Sequence, residues 1–81
     1  MKNITDRQFE LLEFLVSYST ENLRQPALYD IAEKFGISTE AVRGHMFALE
    51  LKGWIIYSGQ GPRNITITDE ALRLVNERKT P

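Results

Sequence analysis

Apolar residues recur at Phe9, Leu12, Leu15 and Tyr18, with Leu11 and Val16 alongside, a rhythm of about 3.6 residues that predicts a first helix over about 6–19. Thr5-Asp-Arg-Gln8 has the spacing of a capping box at its start. A polar connection follows to Pro26, which fixes the way into a second helix over about 28–35, with Leu28, Ile31, Ala32 and Phe35 on one face. Gly36 supplies the residue that tolerates positive φ just past that helix, Ile37 plugs the turn, and the Ser38 hydroxyl is placed to cap a third helix over about 39–52. Val42, Met46 and Leu49 stand at i, i+4 and i+7, so they predict its core face.

After Gly53 the period changes to two. Trp54-Ile-Ile-Tyr57 and Asn64-Ile-Thr-Ile-Thr68 read as strands around the turn-forming tip Ser58-Gly-Gln-Gly-Pro-Arg63, a hairpin over about 54–67. Trp54 is expected to pack where the third helix meets the hairpin. Ile56 alternates to the face opposite Ile55 and Tyr57; packing against the last helix or Phe47 is preferred there, with an exposed partner surface as the alternative. Thr68-Asp-Glu then opens a short last helix over about 69–79, with Ala71, Leu72 and Val75 as its apolar stripe. These elements predict one mainly α domain over residues 1–81. It has a three-helix core with the helix-turn-helix at about 28–52, a small β-hairpin as a wing, and a short C-terminal helix. A helix-turn-helix rests its first helix across a DNA backbone and sends its second into the major groove.

Composition narrows this further. Eighty-one residues bury only about 60% of their unfolded surface, so the margin of stability is modest. The chain has no cysteine, hence no disulfide and no thiolate metal site. It lacks the apolar run of a secretory signal, and no apolar stretch approaches the roughly 20 residues that span a bilayer. A soluble, cytoplasmic, nucleoid-associated protein without membrane contact is expected. The net charge of −1 lacks the positive excess usual in nucleic-acid binders. Its distribution softens this: between Ile37 and Ile67 only Glu40 and Glu50 are acidic, against Arg43, Lys52, Arg63 and the titratable His45.

The candidate chemistry lies on the third helix. Glu40, Arg43, Gly44 and Phe47 are expected to point outward. Arg43 is the candidate reader of guanine O6 and N7; the bland alternative is a solvated arginine. Gly44 inside a helix costs roughly 1 kcal/mol relative to alanine, which close backbone approach to DNA would explain. Glu40 either accepts from cytosine N4 or stabilises the helix dipole. Ser38 and Thr39 are candidate phosphate contacts, Ser38 being first a cap. Phe47 either touches a thymine methyl or lies against the wing, and the second is preferred. His45, the sole histidine, has no cysteine or second histidine for a metal site and no nucleophile at a recognisable spacing, so a structural or phosphate-contacting role is expected. Arg63 at the wing is a candidate phosphate or minor-groove contact, and Lys52 a weak candidate for phosphate. No cofactor and no enzymatic activity are expected.

Thr5-Asp-Arg-Gln8 with Leu-Leu-Glu-Phe-Leu, then Pro26 before Ile31-Ala-Glu-Lys-Phe-Gly-Ile-Ser38, then Ala41-Val-Arg-Gly-His-Met-Phe-Ala-Leu-Glu-Leu-Lys-Gly53 resemble the N-terminal domain of LexA-type repressors over about Ile4 to Ile67. The resemblance implies a winged helix-turn-helix that binds an operator and represses transcription. Such repressors continue into a dimerising, self-cleaving domain, whereas this sequence runs to Pro81; an SOS-response role is therefore not expected to carry over. Ala27 stands where the family has a threonine cap, a loss of about 1 kcal/mol that Pro26 offsets in part. The partner expected is double-stranded DNA, read by two copies on paired half-sites. The stripe of Ala71, Leu72 and Val75 is the candidate homodimer surface, with closure of the core over the first helix as its alternative. The rival function is a winged-helix domain that binds protein rather than DNA, through a patch of Phe47, Trp54 and Ile56.

Overall fold

The computed structural model describes residues 3–57 and 65–79. Helix α1 (Asp6–Asn22) opens on the capping box: the Gln8 amide N–H donates to Thr5 Oγ1 at 3.1 Å, and the Thr5 N–H to Gln8 Oε1 at 3.1 Å. The helix runs three residues past the expected end at 19. The polar tract does not break it, because the side chains fold back on the preceding turn. Ser19 Oγ and Thr20 Oγ1 donate to the Val16 carbonyl at 3.0 and 2.8 Å, and Asn22 Nδ2 donates to the Tyr18 carbonyl at 2.9 Å. The chain leaves the helix at Leu23, a left-handed residue at φ 57° whose N–H reaches the Ser19 carbonyl.

Helix α2 (Leu28–Phe35) starts without a side-chain cap at Ala27, which has no acceptor, but the other half of the box is present. Asp30 Oδ2 accepts from the Ala27 N–H at 2.9 Å and from the Tyr18 hydroxyl at 3.4 Å, so α1 helps to orient the carboxylate that starts α2. Gly36 turns left-handed at φ 66° and sends the chain to Ile37, whose N–H bonds the Ala32 carbonyl. Helix α3 (Thr39–Leu51) is capped by Ser38 Oγ, which accepts from the Ala41 N–H at 3.1 Å. Val42, Met46 and Leu49 are fully buried with Leu11, Leu12, Leu15 and Ile31, so one apolar stripe from each helix meets in one core.

Strands β1 (Ile55–Tyr57) and β2 (Ile65–Ile67) pair antiparallel, with Ile55 opposite Ile67 and Tyr57 opposite Ile65. Alternation puts Ile55 and Tyr57 into the core and leaves Ile56 59% exposed. The expected packing of Ile56 on the last helix or Phe47 is therefore corrected. Its strand neighbours take the inner face, and a three-residue strand cannot turn a central side chain inward as well. Trp54 lies before the strand, buried as expected, with Nε1 donating to the Asn3 carbonyl at 3.2 Å.

Helix α4 (Asp69–Lys79) begins at Thr68, whose hydroxyl donates to the Trp54 carbonyl at 2.9 Å and accepts from the Ala71 N–H at 3.3 Å. It packs across α1. Ala71 and Val75 are fully buried, Leu74 packs beside them, and Arg78 stacks over the Phe9 ring at 4.4 Å. This corrects the stripe of Ala71, Leu72 and Val75 as a dimer surface. Two of its three members are spent on this chain's own core, and only Leu72, 36% exposed, stays at the surface. No helix among the described residues is long and apolar enough to cross a membrane.

Candidate nucleic-acid interface

With Val42, Met46 and Leu49 sunk in the core, the opposite side of α3 is fixed as the outward one. Glu40, Gly44, Phe47 and Leu51 run along it at i, i+4, i+7 and i+11, all exposed, with Arg43 beside them. The sequence-predicted residues Ser38, Thr39, Glu40, Arg43, Gly44 and Phe47 thus share one continuous surface from the cap to the middle of the helix. Arg43 has no hydrogen-bond or ion-pair partner among the described residues, so its guanidinium is free for an external acceptor. Ser38 is committed through its oxygen to the Ala41 N–H, which leaves the hydroxyl hydrogen to donate.

Gly44 is unforced by the fold. Its φ is not among the positive ones, and a Cβ built on it would meet nothing within 4 Å. Neither a turn nor crowding asks for glycine here, so the roughly 1 kcal/mol it costs relative to alanine has no return inside the chain. Phe47 is 52% exposed, and its ring lies 5.7 Å from that of Tyr57, edge-on. Tyr57 is itself buried, and its N–H donates to Glu50 Oε2 at 3.3 Å, which ties the first wing strand to the helix.

The remaining predicted residues lie apart. His45 is half-buried on the flank of α3, and no group of metal-ligating side chains is found among the described residues. Lys52 points away from the outward face, where Nζ donates to Gln8 Oε1 at 2.9 Å and joins the end of α3 to the cap of α1. Arg63 lies outside the described residues. Leu51, 89% exposed, belongs to the outward line and was not among the predicted residues. Its spacing of four from Phe47 and seven from Gly44 was the available signal.

The patch of Phe47, Trp54 and Ile56 that a protein-docking module would need is not assembled. Trp54 is 6% exposed, and alternation turns Ile56 away from the face on which Phe47 meets Tyr57.

Known proteins resemble this chain in sequence and in fold. The family model of the LexA DNA binding domain matches residues 1–64. The chain is similar to the LexA repressor of Caldicellulosiruptor saccharolyticus, with 40% identity over 70 residues, 85% of this chain and 35% of the repressor. It is 36% identical over 67 residues to the LexA repressor of Thermosipho africanus, which is 83% of this chain and 34% of that one. The LexA repressor of Staphylococcus epidermidis aligns over 81 residues at 33% identity, covering 99% of this chain and 39% of its own. The chain thus spans about a third of the length of these repressors. A crystal structure of a hypothetical protein has the same fold, with a TM-score of 0.77 and 27% identity over 94% of this chain and 24% of its own.

Proposed function

Because the chain belongs to the family of LexA DNA-binding domains, we propose that it is a sequence-specific reader of double-stranded DNA that acts in transcriptional regulation as a repressor, with α3 in the major groove. The observation that carries this reading is the outward face of α3, where Arg43, without a partner among the described residues, adjoins a glycine the fold does not require. Arg43 would meet guanine O6 and N7, Glu40 a cytosine N4 amine, and Ser38 and Thr39 a phosphate at the positive end of the helix. His45 on the flank of α3 is assigned a phosphate contact, and Arg63 a phosphate or minor-groove contact. Lys52 can join them only by giving up its bond to Gln8, so it is the weakest of the set.

A single module of this size offers limited contact area, so tight binding calls for two copies on paired half-sites. Ala71 and Val75 being buried, those copies would meet through another surface or be held together by the DNA alone. The protein would work in the cytoplasm, at the nucleoid.

Selection of bound duplexes from a random pool tests the reading. An enriched motif is expected, with half-sites about one helical turn or a multiple apart. Binding to it should weaken steeply with salt, as release of counterions from phosphates requires. No enrichment at low salt, with retained binding to a protein partner that salt does not weaken, would favour the docking alternative.

A further inference from the structure

Phe47 and Gly44 are three residues apart on α3 and form one feature. Gly44 has no Cβ and open space where one would stand, and Phe47 lies exposed three residues further along the same helix. The other half of the ring is held by Tyr57, which is buried and bonded through its backbone to Glu50. A ring fixed in this way loses little freedom when something packs on it. Arg43 adjoins this face, and Leu51 extends the apolar line by a further turn.

We propose that Gly44 and Phe47 form a notch that reads the 5-methyl group of a thymine in the major groove. The inference rests on the DNA reading above. Among the groups that base pairs display in that groove, the thymine methyl is the apolar one, and the rest are hydrogen-bond donors and acceptors. Gly44 and the Phe47 ring themselves supply no hydrogen-bonding side chain, so they suit the methyl, and the polar groups fall to Glu40 and Arg43 on the same face. Arg43 on the adjacent position would then take a neighbouring guanine, and the two contacts together would specify adjacent base pairs.

The test replaces each thymine of the selected duplex by deoxyuridine, which removes only the methyl group. Wild-type protein is expected to lose roughly 3- to 10-fold in affinity at one thymine of each half-site. Phe47→Ala should weaken binding to the thymine duplex by a similar factor and abolish the difference between thymine and uracil at that position, while Phe47→Leu restores part of it. Gly44→Ala should raise the melting temperature, weaken binding to the thymine duplex and bind the uracil duplex at least as well, because the added methyl fills the notch. Uracil tolerated within about twofold at every thymine would overturn the inference. So would a folded Phe47→Ala that keeps the full uracil penalty. Failure to select any duplex would instead overturn the DNA reading, and this inference with it.

Discussion

Arg43 and Leu23 are single residues whose surroundings predict opposite consequences of substitution. Arg43 is exposed and unpartnered among the described residues, so replacing it leaves the fold alone and removes only what it does to a ligand. Arg43→Ala is expected to lower affinity for the selected duplex by about 1–3 kcal/mol and to flatten sequence preference in competition binding. An equal loss on every duplex would reduce Arg43 to a phosphate contact. Leu23 is 90% exposed and sits at φ 57°, where a Cβ is unfavourable and glycine is at ease. Leu23→Gly should stabilise the protein by about 0.5–1 kcal/mol, seen as a melting temperature higher by roughly 2–6 °C. A lower melting temperature would mean that the leucine side chain contributes to the fold. The outward direction of Arg43, Gly44 and Phe47 was legible in the sequence, because the buried triad on α3 fixes the opposite side. The left-handed Leu23 was not, since nothing local marks a leucine for that conformation.

The elements hold together through their ends, and Thr68 shows how. Its one hydroxyl caps α4 and bonds the carbonyl of Trp54, so the start of the last helix and the start of the wing share a side chain. Thr68→Val keeps the shape and removes the hydroxyl, which should cost about 1–2 kcal/mol in chemical denaturation. Thr68→Ser should recover most of it. Element types and most boundaries followed from spacing and caps: 28–35 and 69–79 are the ranges that periodicity predicts. The end of α1 did not follow, because Ser19, Thr20 and Asn22 can either leave a helix or bond back into it. Their choice depends on Leu11, Leu12, Leu15 and Val16 being buried by the rest of the molecule. The weak start of α2 was likewise read from Pro26 and Ala27, whereas Asp30, held from another helix by Tyr18, supplies the missing order.

For the molecule as a whole, α4 belongs to the core, and this decides how much of the chain is needed to present the reading face. Val75→Asp would place a carboxylate among fully buried side chains and should cost about 3 kcal/mol or more, a large share of the roughly 4–12 kcal/mol expected for this length. Leu72→Asp, one turn earlier on the same helix but at the surface, should change thermal stability by no more than about 1 kcal/mol. Similar losses from both would place Leu72 at a contact that the isolated chain does not contain. The sequence by itself determined the helices, the turn at Gly36, the cap at Ser38 and the identity of the outward residues on α3, because periodicity, caps and glycine conformations act over a few neighbouring positions. Tertiary structure alone decided that Lys52 bonds to Gln8, that Phe47 meets Tyr57, and that the α4 stripe closes the core. Each of these depends on which residues distant in the chain meet in space, and a side chain able to serve two surfaces takes the one that the packed core leaves to it.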